Sequence, residues 1–98
     1  MTEHRSVATV PATHPCLAGH FPGRPIVPAV VILESVMEAV RDLGRPPCKL
    51  RSLDSVKFLQ PLLPGVAFDI VLQQNDCQLS FRCERDGQLL AQGRGELA

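Results

Sequence analysis

The sequence has no excess of charge and no long apolar run. Ten basic residues balance ten acidic ones among its 98 residues, so the formal net charge is zero. Such a chain has no overall field that would attract nucleic acid or an anionic membrane, and we expect neither as a partner. The longest strongly apolar run, residues 25–33, is far too short to span a bilayer.

Signals for export and for metal binding are also lacking. The N-terminal stretch MTEHRSVATVPATH has no apolar core of the kind that secretory signals need, which predicts a cytoplasmic location. The four cysteines form no CxxC pair and have no histidine at zinc-finger spacing. We therefore expect no metal, no redox motif and no cofactor, and we interpret the cysteines as small core residues.

The composition indicates one folded domain over residues 1–98. A hydrophobic fraction of 45% and a charged fraction of 20% are typical of ordinary globular proteins. So short a chain can build only one core, and that core is small. Dimerisation would bury further apolar surface, and we expect it for that reason.

The pattern predicts an α+β fold with the order β, α and then four strands. A strand over 5–10 is followed by a proline-rich, extended loop and by a helix that runs from Pro28 to Leu43, before Gly44. Asn75–Asp76 and Asp86–Gly87 read as turns between later strands. We expect those strands, at 49–59, 66–74, 77–84 and 88–97, to form an antiparallel meander against the helix.

Two of these elements have unusual faces. The helix has an apolar stripe made of Ala29, Ile32, Leu33, Val36, Val40 and Leu43. Val30 and Val31 extend the apolar surface almost all round its first two turns, so we expect the helix start to be buried on most sides. The last strand presents small residues at 91, 93 and 95, which indicates close approach of something bulky such as the helix.

Two motifs resemble those of the 3-hydroxyacyl-(acyl-carrier-protein) dehydratases of bacterial fatty-acid synthesis. The first is AGHFPGRPIVPAVVILESV at residues 18–36, in which Glu34 follows His20 by the fourteen positions that separate the family's histidine and acid. The second is VKFLQPLLPG at residues 56–65, downstream in the expected order. Together they cover about a third of the chain.

The resemblance implies a hot-dog fold, in which the sheet wraps around the helix, and an enzyme that dehydrates a 3-hydroxyacyl thioester bound to acyl carrier protein. It implies a homodimer, with a higher oligomer left open, whose sites each combine the histidine of one subunit with the acid of the other. His20 is then the base for the C2 proton, and Glu34 the acid for the departing hydroxide, kept protonated by apolar surroundings. The implied substrate-binding residues are Ala29, through its amide, with Phe21, Pro28 and Phe58.

The spacing of the catalytic pair is compatible with sharing across a dimer. Eight residues separate His20 from the helix start, a distance of up to roughly 25 Å if the loop is polyproline-like. Glu34 lies six residues further, about 9 Å along the helix axis. Pairing within one chain stays open, because the loop could double back.

Two positions depart from the family pattern, which usually has glycine at position 29 and glutamine at position 38. Ala29 adds a methyl group that would narrow the approach of the thioester, and Glu38 places a second carboxylate one turn after Glu34. If both carboxyl groups are buried, the second one either aids the acid role of Glu34 or marks a changed substrate, as in a polyene or polyketide-like pathway.

Two other functions compete with the dehydratase. A hot-dog thioesterase would hydrolyse the thioester with an acid on the same helix and a positioned water molecule. A non-catalytic acyl-binding homologue is the other alternative, if Ala29 or Glu38 prevents catalysis. A basic stretch that comprises Arg41, Arg45, Lys49, Arg51 and Lys57 is a hypothetical docking surface for an acidic carrier protein.

Overall fold

The computed structural model describes residues 2–11 and 26–98. Its elements follow the expected order, one strand, one helix and four strands. Among the described residues no helix has the length and apolar character needed to cross a membrane. The elements are β1 (Thr2–Thr9), α1 (Ala29–Arg41), β2 (Leu50–Phe58), β3 (Ala67–Asn75), β4 (Gln78–Arg85) and β5 (Gln88–Leu97).

The five strands form one antiparallel sheet in the order β1-β3-β4-β5-β2. Strands β3, β4 and β5 form the expected meander, but the expectation that β2 continues it is wrong. Strand β2 pairs with β5 at the far edge, because residues 59–66 carry the chain across the fold instead of turning it back. Hydrogen bonds from Val27 N–H to the Leu62 carbonyl (2.8 Å) and from Gly65 N–H to the Val10 carbonyl (2.7 Å) hold that crossing segment.

The turns between the meander strands follow local sequence. Asp86 and Gly87 have φ values of 50° and 77°, which confirms the predicted hairpin turn, since both positions of such a turn need positive φ. The other turn lies one residue later than predicted. Strand β3 includes Asn75, and Asp76 carries the positive φ of 54°.

Helix α1 begins after Pro28, which has the extended conformation, and its regular part ends at Arg41, two residues earlier than predicted. Its inward face consists of Val31, Ile32, Val36 and Val40. The expectation of a helix start buried on most sides is wrong for the single chain. Ala29 and Glu34 are exposed and Val30 is 56% exposed, because the sheet covers only one side of the first turn.

The core lies between this helix face and the concave face of the sheet. No polar or charged side chain within the described ranges is buried. The sheet therefore wraps around an apolar helix face, which is the hot-dog arrangement expected above. The sheet contributes Phe68, Ile70, Leu72, Leu79, Phe81, Cys83, Leu90, Ala91 and Leu97.

Strand β2 pairs irregularly with β5. Strand β2 has one extra residue relative to β5 at Arg51 and another at Asp54, and such bulges increase twist and bend. A Cβ atom on Gly93 would lie 2.7 Å from the Phe81 ring and from the Ser55 carbonyl oxygen. The space beside the small residues of β5 is therefore occupied by the Phe81 ring and by the backbone of β2. The expectation that the helix occupies it is wrong.

We predict that Gly95→Ala lowers the free energy of unfolding by about 2 kcal/mol, because the methyl group would overlap the Ser52 carbonyl oxygen on β2. Urea denaturation followed by circular dichroism measures the change. The control is Glu96→Ala, an exposed neighbour expected to change the free energy by about 0.5 kcal/mol or less. Equal stability of the parent and Gly95→Ala would contradict the close approach of β2.

A second prediction concerns Cys83, which is fully buried. Burial raises the pKa of its thiol from 9.0 to about 12. The unfolded chain therefore releases this proton near pH 9 while the folded chain keeps it, so its contribution to stability falls as the pH rises above 9.

Between pH 8 and pH 10 the titration of Cys83 should lower the free energy of unfolding of the parent by about 1.4 kcal/mol. This decrease should be absent in Cys83→Val. Denaturation of both proteins at each pH gives the difference between their unfolding free energies. A difference that stays constant across this range would contradict the prediction.

Candidate active site

An apolar cleft of about 280 Å³ lies beside the start of α1. One wall is the helix start and the residues that lead into it, and the other is the end of β2 and the segment that follows. Gln60 is the one polar residue in its lining. The cleft is lined by Ile26, Val27, Ala29, Ile32, Phe58, Leu59, Gln60, Pro61 and Leu62.

Backbone hydrogen bonds fix the two walls relative to each other. The bond between Val27 N–H and the Leu62 carbonyl joins them directly, and both of these side chains are buried. The N–H groups of Leu59 and Gln60 both donate to the carbonyl of Leu90, at 2.8 and 3.2 Å. Leu90 is the extra residue of a bulge in β5, so the sheet itself anchors the outer wall.

Two of the predicted substrate-binding residues, Ala29 and Phe58, meet in this cleft, and Pro28 lies next to it at the helix boundary. The N–H groups of Val31 and Ile32 donate to the Pro28 carbonyl, at 3.0 and 3.3 Å. The cleft therefore adjoins the positive end of the helix dipole, where developing negative charge is stabilised. The role of the Ala29 amide stays a prediction.

Glu34 projects from the face of α1 that the sheet leaves open. Its side chain is exposed, and Val30, one turn earlier, is 56% exposed. The apolar enclosure expected around this carboxyl is not supplied by the single chain. Glu38 is exposed as well, so the two carboxylates do not form a buried pair within this chain.

His20 and Phe21 lie outside the described residues. The pairing of His20 with Glu34 therefore stays a prediction, as does the contact of Phe21 with substrate. Ile26 lies six residues after His20 and lines the cleft.

Four exposed apolar residues, which we call the apolar rim, line the cleft or lie next in sequence to residues that line it. Its members are Val30, Phe58, Leu59 and Leu63. Phe58 is 44% exposed, Leu59 48% and Leu63 51%. Leu59 and Leu63 were missed as functional candidates in the sequence. The sequence contained one signal for them. The stretch FLQPLL, residues 58–63, has more large apolar side chains than an exposed strand end and turn usually have.

The described part of the chain offers no group of three or more His, Cys, Asp or Glu side chains that could hold a metal ion. Gln60, the polar residue of the lining, can hydrogen-bond to a ligand in the cleft. The cleft itself suits an acyl chain, which is apolar along its length.

The chain matches, over residues 1–94, a family model described as ApeI-like, ApeI dehydratase. The 3-hydroxyacyl-(acyl-carrier-protein) dehydratase FabZ of Haemophilus influenzae is 31% identical over 77 residues, which cover 70% of this chain and 52% of that protein. The chain therefore spans about half the length of the curated relatives it matches.

Solved structures extend the likeness to nearly the whole chain. The dehydratase heterocomplex ApeI:P from Xenorhabdus doucetiae matches with a TM-score of 0.84 and 30% identity, covering 98% of this chain and 87% of that one. An acyl-CoA hydrolase mutant from Staphylococcus aureus matches with a TM-score of 0.69 and 14% identity over 98% and 65% of the two chains, a likeness of fold alone. The resemblance carried by residues 18–36 and 56–65 is confirmed.

Proposed function

The chain belongs to the ApeI-like dehydratase family, and we propose that it removes water from a 3-hydroxyacyl thioester to give the trans-2-enoyl thioester. The observation that carries this proposal is the apolar cleft at the start of α1, in which Ala29 and Phe58 meet. The cleft would hold the acyl chain, with the thioester at the N-terminal end of α1. The pathway would be fatty-acid or polyketide-like biosynthesis, and the location cytoplasmic.

The chemistry needs one base and one acid. His20 takes the C2 proton, and the electrons of that C–H bond form the C2–C3 double bond as the C3–O bond breaks. Glu34 gives its proton to the departing hydroxide, which leaves as water. An amide at the helix start, that of Ala29, stabilises the enolate oxygen while the charge develops.

A second subunit would complete the site. Glu34 and the apolar rim are exposed in the single chain, and exposed apolar residues grouped in this way mark a surface that a partner covers. A copy of the chain packed on the rim would supply that cover and bring its own His20. The proposed assembly is a homodimer with shared sites, and acyl carrier protein is the proposed carrier of the substrate.

The reaction is tested by incubating the protein with a 3-hydroxyacyl carrier-protein thioester and following the mass of the acyl group. The parent should give the product that has lost one water. His20→Ala and Glu34→Gln should each lower the rate by at least about 100-fold, because each removes one proton-transfer group.

Glu38→Gln is the matched control, since it removes the neighbouring exposed carboxylate and should leave the rate nearly unchanged. Loss of the acyl group from the carrier would identify a thioesterase. An unchanged mass would favour a non-catalytic acyl-binding protein, and full activity in either site variant would refute that residue's role.

Sharing of the site between subunits is tested by mixing His20→Ala and Glu34→Gln proteins after dissociating both. A mixed dimer has one site with both groups intact, so activity should return to about one quarter of the parent value. Each variant dissociated and reassembled alone is the control. No recovery in a mixture shown to contain mixed dimers would place both groups in one subunit.

A further inference from the structure

The lining of the apolar cleft changes in character between its floor and its mouth. Val27, Ile32 and Leu62 form the floor, since each is 4% exposed or less and belongs to the hydrophobic core. Leu59 and Gln60 are exposed and stand at the mouth. Because Gln60 is the one polar residue of the lining, side-chain hydrogen bonding in the cleft is confined to the mouth.

The backbone that carries Gln60 is restrained on both sides along the chain. Its N–H group and that of Leu59 donate to the Leu90 carbonyl, at 3.2 and 2.8 Å. Pro61 follows, and a proline restricts the residue before it to extended backbone conformations. The backbone at Gln60 therefore needs little ordering when a ligand binds, which lowers the entropic cost of a contact there.

The carboxamide of Gln60 has its hydrogen-bonding groups available for a ligand. Within residues 2–11 and 26–98, its side chain forms no hydrogen bond with the protein. It presents a carbonyl oxygen that accepts and an NH2 group that donates. Such a group complements another amide, which also offers one donor and one acceptor.

The two ends of the cleft set the direction of a bound thioester. The acyl chain is apolar along its length and suits the floor, whereas the thioester of the proposed reaction lies beside Ala29. The group attached to the sulfur then leaves through the mouth, past Gln60. In thioesters of carrier protein and of coenzyme A alike, that group is pantetheine, which has an amide close to the sulfur.

We propose that Gln60 binds an amide of the pantetheine arm and so positions the thioester at the start of α1. This inference rests on the proposed function, whose substrate is a thioester. It gives the mouth of the cleft a selectivity for the thiol part of the substrate, separate from the selectivity of the floor for the acyl part. A polar side chain at the mouth of an apolar cleft fixes orientation in this way.

The test uses two 3-hydroxyacyl thioesters with the same acyl group, one of pantetheine and one of ethanethiol, which has no amide. Gln60→Met keeps nearly the length of the side chain and removes its carboxamide. With the pantetheine thioester it should raise KM by about three- to tenfold and change kcat by less than about twofold, because one neutral hydrogen bond is lost. With the ethanethiol thioester, both constants should stay at the parent values.

The matched control is Gln78→Met, which removes an exposed carboxamide at the start of β4, outside the cleft lining. It should behave like the parent with both thioesters. An equal rise of KM for both thioesters in Gln60→Met would mean that the residue only shapes the cleft. That result, or an unchanged KM for the pantetheine thioester, would overturn the proposal.

Binding of saturated acyl thioesters, which have no hydroxyl group to lose, separates this proposal from the proposed function. By calorimetry the parent should bind the pantetheine thioester at least about threefold more tightly than the ethanethiol thioester, and Gln60→Met should lose this preference. If the parent shows the preference but dehydrates no thioester, the proposed function fails and the role of Gln60 stands. A parent without the preference would overturn that role.

Discussion

The close packing of β2 against β5 is the constraint on which the rest of the structure depends. Gly93 and Gly95 leave room for the backbone of β2, because a Cβ atom at either position would overlap a carbonyl oxygen of that strand. Two bulges fit β2 to β5, so that nine residues of β2 pair along a shorter stretch of β5. The end of β2 supplies Phe58 to the cleft that Ala29 also lines. Without this packing, the cleft would lose one wall.

The fold could be predicted where the signals are local. Alternating apolar residues give β3 and β4, and Asp86–Gly87 gives the hairpin into β5, because each depends on neighbouring residues. The partner of β2 could not be predicted in this way. Its pairing depends on where a proline-rich crossing segment leads, and alternation within a strand indicates its faces but not its neighbour.

The site could be predicted only in part, for a related reason. Ala29 and Phe58 were expected at the substrate and do line one cleft. The apolar cover expected around Glu34 is absent from the single chain, because periodicity along a helix does not distinguish burial against its own sheet from burial against another subunit. Leu59 and Leu63 were missed because their segment was interpreted only as a strand and turn. Their exposure is visible only in the folded chain.

The two bulges in β2 divide that strand into three parts with separate registers, Leu50, Ser52–Leu53 and Ser55–Phe58. Arg51 and Asp54 have no partner on β5. Each adds one residue to β2 while the pairing continues at the next residue of β5. The end of the strand, which faces the cleft on one side and solvent on the other, is therefore insulated from changes in length nearer its beginning. After Ser55 no further bulge follows, so one residue added or removed there would exchange the two faces of the strand end.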